Sequence, residues 1–335
     1  MSDQKLKVGI IGGGGIVRAH LPRLKERSEL VDVVAVSDVN AQAAQGTAEE
    51  FLIPRFSTDY KEWLQDVDAV VVGVPTHLHA QIGIDCANAG KHIFMEKPMT
   101  RTLEQTEELL AAVEKNGVRM QVGFVRRFDT EWMKWRELIL ENKIGRPVSW
   151  RHVMGGYGAP SPWFNQEEQG GGPFIDGCIH NIDFALYTFG PAQWAYLNAR
   201  TMREGNTALD TGTATVRFES GDEMMLAWTW GLPAGCSAGG TFDFLGPKGT
   251  LMHGQYKGPQ WKESHFALDY GDAHEREEVP YVSDLGAAFG DQMDEFIAVA
   301  KGAKTPRAGG KEGLESMKLA LAILQSGRTG EVVHL

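Results

Sequence analysis

Short apolar runs alternate with helical periodicity from residue 5 to residue 123 of this chain. The apolar runs, rich in Val and Ile and bounded by Gly, Pro or Asp, are residues 7–11, 31–37, 68–74, 92–95 and 118–122. Their apolarity is continuous, as strands covered on both faces require. The clearest helical stripe between them is residues 102–116, which Gly117 ends. This alternation predicts an α/β domain over residues 1–123, built on a doubly wound parallel sheet.

Period-two patterns replace the continuous runs after residue 124. They are typical of strands with one buried face and occur at residues 148–154, 194–201, 213–219, 223–230 and 241–245. Helical patterns occur at residues 130–141, 176–189, 285–300 and 311–326. We therefore predict an α+β domain over residues 124–335 with a large, mostly antiparallel open sheet.

One face of the run 223–230 is strongly apolar. It carries Met224, Leu226, Trp228 and Trp230. An open sheet with such a face needs a cover, and a second copy of the chain is one. We therefore expect a homodimer or homotetramer formed through this sheet.

Composition narrows the classes of partner. The 335 residues include 33 Lys plus Arg and 44 Asp plus Glu, which gives a formal net charge of −11. This charge and the absence of a basic block in the sequence argue against nucleic-acid binding. No stretch reaches ~18 consecutive apolar residues, and the N-terminus lacks a signal-peptide pattern. The three cysteines are widely spaced and indicate free thiols in a reducing compartment. We expect a cytoplasmic protein that does not bind membranes.

Four consecutive glycines follow the first apolar run. Gly12 and Gly14 would let the backbone turn and approach a pyrophosphate at the N-terminus of the next helix. Asp38 ends the second run, where a carboxylate accepts from the adenosine ribose hydroxyls and repels a 2′-phosphate, so NAD is favoured over NADP. Val17 stands at the third glycine position of the Gly-x-Gly-x-x-Gly fingerprint, and we expect it to loosen helix–strand packing slightly. A purely structural glycine turn is the alternative.

Polar residues also follow the run 68–74. Pro75 shapes a turn, Thr76 is placed to cap the next helix, and His77 and His79 are placed to face the nicotinamide half of a cofactor. The alternative is a His-x-His metal pair, which needs a third ligand that the sequence does not indicate.

The run 92–95 ends in Glu96, Lys97 and Pro98. A lysine just past the carboxyl end of a strand, beside a crevice, is placed to be desolvated and to act as an acid–base group. A solvated surface lysine is the alternative.

A triple glycine at residues 170–172 precedes Asp176 and His180. If this segment is helical, residues four apart share one face, which puts a carboxylate beside an imidazole. The glycines would let the backbone approach a ligand closely. The pair indicates proton transfer to or from a hydroxyl, with a structural histidine as the alternative.

These motifs, in this order and spacing, resemble the Gfo/Idh/MocA oxidoreductases, the group of glucose–fructose oxidoreductase and inositol dehydrogenase. The resemblance covers essentially the whole chain, including the late Gly-Pro-Lys-Gly-Thr-Leu hairpin. It implies an N-terminal Rossmann domain, a C-terminal α/β domain with a large open sheet, and NAD-dependent oxidation or reduction of a sugar, polyol or related hydroxy compound. Two residues depart from the family pattern and are expected to alter the pocket: Cys178, where glycine is usual, and Pro173.

The resemblance also implies residue roles. Lys97, Asp176 and His180 become the catalytic set, with His180 as general base, Lys97 hydrogen-bonded to the reacting oxygen, and Asp176 orienting Lys97 or a neighbouring hydroxyl. The expected cofactor-binding residues are Gly12, Gly14, Gly15, Ile16, Asp38, Pro75, Thr76, His79, Glu96 and Lys97. Arg127, Tyr157, Trp163 and Asn165 are candidates for the sugar pocket, with a core or surface position as the alternative for each. Stacking of an aromatic ring on a pyranose face is the physical reason to prefer Trp163. No metal site is predicted.

Two other functions stay open at this point. In one, tightly bound NAD assists elimination or glycoside cleavage through a transient oxidation, with no net redox change. In the other, the protein is a non-catalytic sensor of NAD and sugar. The presence of Lys97, Asp176 and His180 together argues against a sensor.

Overall fold

The computed structural model describes residues 4–236, 238–253, 264–271, 276–282 and 284–335. Over these residues the helices are α1 (Gly15–Lys25), α2 (Ala41–Glu50), α3 (His79–Asn88), α4 (Leu103–Lys115), α5 (Thr130–Leu140), α6 (Ile179–Phe189), α7 (Leu285–Ala300) and α8 (Gly310–Thr329). The strands are β1 (Leu6–Ile11), β2 (Val31–Ser37), β3 (Phe56–Ser57), β4 (Ala69–Val72), β5 (His92–Met95), β6 (Met120–Val122), β7 (Ser149–Gly155), β8 (Ala192–Arg200), β9 (Thr211–Phe218), β10 (Glu223–Thr229), β11 (Thr241–Gly246), β12 (Gly249–His253), β13 (Ser264–Asp269), β14 (Glu277–Tyr281) and β15 (Val333–His334). None of the helices in these described ranges has the length and apolarity needed to span a membrane.

The chain divides into two compact units. The first unit consists of Met1–Val125 and Leu285–Leu314, and the second of Arg126–Asp284 and Glu315–Leu335. The predicted division after residue 123 assigned all later residues to the second domain. The structure differs because a late segment containing α7 returns to the first unit.

The contacts of that late segment explain its place. Phe296 of α7 packs edge-on against Phe94 of β5, with ring centroids 5.5 Å apart. The carbonyl of Ala308 accepts the backbone N–H of Val122 at 2.8 Å, beside the edge strand β6. The segment therefore covers one side of the first unit's sheet, and no local pattern in residues 285–314 could indicate which sheet it joins.

The first unit holds the predicted parallel sheet, and that prediction is confirmed. Its six strands lie within described residues, are all parallel and follow the order β3-β2-β1-β4-β5-β6. The helix predicted at 102–116 is α4, in which the side chain of Thr102 accepts the N–H of Gln105 at 3.2 Å and Gly117 follows at φ +62°. Because β1 lies between β2 and β4, the carboxyl ends of these strands flank the switch point at which open α/β sheets bind ligands.

The second unit holds the predicted large sheet, which is mixed but mostly antiparallel, as expected. Over the described residues its strand order is β14-β13-β12-β11-β7-β10-β9-β8-β15, and β7 with β10 is the parallel pair. The hairpin predicted at Gly-Pro-Lys-Gly-Thr-Leu joins β11 to β12.

The apolar face of β10 is covered from within the chain. Met224, Leu226, Trp228 and Trp230 are all less than 8% exposed. On the same side of the sheet, Trp132 of α5 packs edge-on against Trp150 of β7, and the backbone at Gly177 lies against the rings of Trp228 and Trp230. This face therefore does not need a second copy of the chain to bury it, and that expectation is wrong. The alternation of apolar residues along a strand identifies a buried face but not the segment that packs on it.

Candidate active site

The glycine turn after β1 has the geometry of a phosphate cradle. Gly12 has φ +105°, and a Cβ there would collide with the carbonyl oxygen of Gly73. Gly14 stands just before α1, no side chain among the described residues caps that helix, and the space where a Cβ of Gly14 or Gly15 would lie is open. A helix N-terminus with free approach to its backbone suits the pyrophosphate of a dinucleotide.

Val17 does not loosen the packing as expected. It is completely buried, and a Cβ on Gly73 would lie 2.6 Å from its Cγ1 and 3.1 Å from Cγ2 of Ile16. The close approach that the fingerprint's third glycine would provide on α1 is therefore provided by Gly73, just after β4. Ile16 is half-buried against this glycine, so its side chain serves packing as well as any cofactor contact.

Asp38 is fixed beside the glycine turn. Its Oδ2 accepts the N–H of Gly13 at 2.7 Å and its Oδ1 accepts the N–H of Asn40 at 2.8 Å. Each carboxylate oxygen has further lone pairs, so both remain able to accept from ribose hydroxyls. The position fits the predicted role in selecting NAD.

The turn after β4 is held by His79 rather than capped by Thr76. Residues Thr76–Leu78 form a 3-10 turn, and α3 then begins at His79 with no side-chain cap among the described residues. The buried His79 has Nδ1 2.7 Å from the carbonyl oxygen of Pro98 and Nε2 2.9 Å from that of Val74. With both ring nitrogens beside backbone carbonyl oxygens, His79 holds this turn, and neither nitrogen points away from the protein in this arrangement.

Pro75 and His77 belong to the same turn. Pro75 precedes the 3-10 segment with φ −57° and ψ 140°. Burial lowers the pKa of His77. No group of three or more His, Cys, Asp or Glu in the described part of the chain is arranged to hold a metal ion.

Strand β5 delivers Glu96 and Lys97 to the same edge of the sheet. Lys97 is half-buried just past the carboxyl end of β5, where the sequence places it. Glu96 is buried: its Oε1 lies 2.6 Å from Nε2 of His20, and its Oε2 accepts the backbone N–H of Lys97 at 3.1 Å. The carboxylate predicted to contact the cofactor is thus engaged inside the first unit.

Asp176 and His180 do not lie on one regular helix. Pro173–Gly177 forms a π-helical turn, closed by the N–H of Cys178 donating to the carbonyl of Pro173 at 2.7 Å, and α6 begins at the next residue. Asp176 is buried in the turn, and His180 is half-buried in the first turn of α6. The two residues that depart from the family pattern are therefore the two ends of this π turn.

Cys178 and two of the three consecutive glycines pack closely within the second unit. Cys178 is completely buried, and burial together with the nearby Asp176 raises the pKa of its thiol. A Cβ on Gly170 would lie 2.5 Å from the backbone of Phe164, and one on Gly172 would lie 2.8 Å from Cβ of Ala208. Gly170 and Gly172 are therefore needed for close packing within the second unit.

Two of the four expected sugar-pocket residues are buried inside the second unit. Arg127 is buried and donates from Nε and Nη2 to the carboxylate of Asp183 at 2.8–3.2 Å, while its guanidinium stacks on Tyr187. Asn165 is buried, and its backbone carbonyl accepts the backbone N–H groups of residues 207 and 208, whereas its side-chain Oδ1 has no hydrogen-bond partner among the described residues. The side chain of Arg127 and the backbone of Asn165 hold the scaffold around α6 and the loop 156–172.

The other two sugar-pocket candidates are more accessible. Tyr157 is 40% exposed, with the guanidinium of Arg203 3.9 Å from its ring centroid. Trp163 is half-buried and stacks on Phe164 with centroids 3.7 Å apart. These rings remain suitable for packing against a sugar.

A histidine that sequence reasoning missed supports α6. The amide Nδ2 of Asn181 lies 2.6 Å from Nδ1 of His152 on β7. Burial, with smaller effects from Arg126 and His253, lowers the pKa of His152 to about 4, so Nδ1 of the neutral ring accepts from the amide. The signal was present: His152 alternates with Trp150 along β7, on the apolar side of the strand, where a half-buried imidazole needs a polar partner.

Comparison with known proteins agrees with this geometry. A family model described as oxidoreductase family, NAD-binding Rossmann fold, matches residues 6–124, and the GFO/IDH/MocA C-terminal domain matches residues 132–252. The uncharacterized oxidoreductase YrbE of Bacillus subtilis is 34% identical over 227 residues, 65% of each chain. The scyllo-inositol 2-dehydrogenase (NAD(+)) of the same species is 26% identical over 342 residues, 99% of this chain and 97% of that protein.

The fold agrees as well. The crystal structure of the WlbA dehydrogenase from Bordetella pertussis, in complex with NADH and UDP-GlcNAcA, superposes with a TM-score of 0.84 at 25% identity, covering 100% of this chain and 99% of that one. The family models together span most of the two units, and the glycine turn and Asp38 fit a dinucleotide. The chain is therefore an NAD-dependent oxidoreductase that belongs to the Gfo/Idh/MocA family.

Proposed function

We propose that this protein is a dehydrogenase that oxidises or reduces one hydroxyl of a sugar or of a polyol such as an inositol. One observation carries the proposal. The chain is similar over 99% of its length to an NAD-dependent scyllo-inositol dehydrogenase, and it has Lys97 at the end of β5 and Asp176 and His180 at the start of α6.

Three side chains divide the acid–base work in this proposal. NAD, when bound, supplies the acceptor for the hydride that leaves the carbinol carbon. His180 removes the hydroxyl proton as the carbonyl forms, and Lys97 donates a hydrogen bond to the same oxygen, on which negative charge develops. Asp176, buried in the π turn, orients Lys97 or a neighbouring substrate hydroxyl. In the reducing direction His180 returns the proton.

The accessible aromatic side chains serve substrate binding in this proposal. Trp163 and Tyr157 present amphipathic rings, which pack well against the apolar face of a pyranose or cyclitol. Arg127 contributes indirectly, because its guanidinium already holds Asp183. Asn165 stays a candidate for a substrate hydroxyl, because its buried side-chain Oδ1 has no hydrogen-bond partner among the described residues.

The test is formation of NADH with a panel of sugars and cyclitols. We expect one or more members to give net NADH with the wild type and a large loss of turnover in Lys97→Ala and His180→Ala. Conversion of a sugar without net NADH would instead select the redox-neutral mechanism. Binding of NAD and a sugar without any conversion would select the sensor.

We also propose that the protein forms a homodimer or homotetramer through the face of the large sheet opposite the buried one. Tyr196 of β8 and Met225 of β10 are at least partly exposed on that face. Met225→Glu is expected to lower the mass measured by light scattering, with Leu335→Glu at the exposed C-terminus as control. An unchanged mass of a folded Met225→Glu variant would remove this face as the interface.

A further inference from the structure

Lys97 is preceded by a carboxylate that is held by a buried histidine. His20 of α1 is completely buried, and its ring lies edge-on to Phe94 and Phe289, with centroids 5.0 Å and 5.1 Å away. Its Nε2 faces Glu96 at 2.6 Å, and because a carboxylate accepts, Nε2 donates. Among the described residues Nδ1 of His20 has no hydrogen-bond partner, so Glu96 is the polar group that this histidine serves.

The fit around Glu96 is close. The carboxylate lies against the backbone of Gly123, where a Cβ would be 3.0 Å from both carboxylate oxygens. Its second oxygen accepts the backbone N–H of Lys97 at 3.1 Å. The chain His20, Glu96, Lys97 therefore ties α1 to the peptide bond that enters the catalytic lysine.

The residue after Lys97 is held by a second buried histidine. Nδ1 of His79 lies 2.7 Å from the carbonyl oxygen of Pro98, and Nε2 lies 2.9 Å from that of Val74. A carbonyl oxygen accepts, so a protonated nitrogen of this ring donates to the carbonyl that it faces. His79 thus joins the turn after β4 to the segment after β5. It contacts the residue that follows Lys97, whereas His20 contacts the residue that precedes Lys97.

We propose that His20 and His79 are positioning residues that hold the backbone on either side of Lys97. The lysine side chain has a flexible four-carbon stem, so the position of its ammonium group depends on how firmly the backbone of Lys97 is held. This inference rests on the proposed function, because it concerns the lysine to which that function assigns the reacting oxygen. The proposed function assigns neither histidine a contact with the reacting atoms.

The first test replaces the donor to Glu96. His20→Leu removes it, whereas His20→Gln keeps an N–H near the position of Nε2. A small displacement of a reacting group costs up to about 10²-fold, so we expect kcat to fall by roughly that factor in His20→Leu and to recover in His20→Gln. NAD affinity, measured by titration, should change little. Leu24→Ala, a buried cavity change in the same helix, is the matched control and should lower stability while kcat stays unchanged.

The second test asks whether the effect passes through Lys97. In a Lys97→Ala background, His20→Leu should lower the residual kcat no further, because the positioned group is absent. A full further loss in that background, or equal loss of kcat in Leu24→Ala, would overturn the inference. If His20→Leu does not fold, Glu96→Gln replaces it. The amide of glutamine has one accepting oxygen, so it cannot accept from His20 with one atom and from the Lys97 N–H with the other, as the carboxylate does.

A third measurement separates this inference from the proposed function. Hydrogen exchange of the segment 95–99 should accelerate in His20→Leu and in His79→Leu, without regard to turnover. If Lys97→Ala keeps wild-type kcat, the proposed function fails while this exchange result still decides whether the histidines hold the segment. Exchange unchanged in both variants would overturn the inference even if Lys97 proves essential.

Discussion

Gly73→Ala tests the compensation between Gly73 and Val17. The added Cβ would lie 2.6 Å from Cγ1 of Val17 and 3.1 Å from Cγ2 of Ile16. Val17 is completely buried and β-branched, so it has few ways to yield. Overpacking of this kind costs about 1–3 kcal/mol. We therefore expect urea denaturation to show a free energy of unfolding lower by roughly 2 kcal/mol and NAD titration to show weaker binding, because α1 shifts at its phosphate-binding end.

Two further variants make this prediction specific. Val17→Ala removes the colliding methyl groups, so in the double variant the two losses should fall short of additivity by about 1–2 kcal/mol. Gly46→Ala is the matched control: it lies inside α2 with open space at its Cβ, and Gly to Ala in a helix should stabilise by about 0.5–1 kcal/mol. Losses at residues 17 and 73 that add, or an unchanged stability of Gly73→Ala, would refute the compensation.

Three more predictions concern charge and proton transfer. The double variant Asp38→Ser, Val39→Arg places a cation at an 88% exposed position and should raise the ratio of kcat/KM for NADP to kcat/KM for NAD by about 10- to 100-fold, the effect of one charge-assisted hydrogen bond. Equal use of both cofactors by the wild type would contradict this prediction. The pKa of His152 is about 4 in the folded state and 6.5 in the unfolded chain, so between these pH values the unfolded chain binds more protons. The free energy of unfolding should therefore fall by up to ~3 kcal/mol as the pH drops from 6.5 to 4, and the His152→Gln variant should lack this pH dependence in denaturation experiments. Lys97→Ala and His180→Ala should each lower kcat by ~10² to 10⁴, and the double variant by much less than the product, whereas multiplicative losses would mean that the two act independently.

The sequence was most informative where local pattern decides structure. Continuous apolar runs indicate strands covered on both faces, and β4, with all four residues buried, is the clearest case. The cap Thr102 and the stop Gly117 bound α4 because both act through their own backbone neighbours. The glycine turn and Asp38 could be placed because consecutive strands of a parallel sheet end at one edge. Pattern thus predicted the first unit up to residue 123.

Pattern was least informative where a contact joins distant segments. The return of α7 to the first unit depends on Phe296 meeting Phe94, and the compensation for Val17 depends on a glycine in another turn. The π turn before α6 was also missed, because its extra residue leaves the apolar spacing readable as an ordinary helix.

The same limit explains why polar residues near the site were assigned to ligands too readily. A buried polar group must find a partner, and a protein segment satisfies it as well as a substrate does. Arg127 meets Asp183, 56 positions away, and His79 meets two carbonyl oxygens, so neither is free to recognise a ligand in the way expected. Sequence identifies which residue types converge on the edge of a sheet; only the partner of each buried atom tells a residue that contacts substrate from one that holds another residue in place.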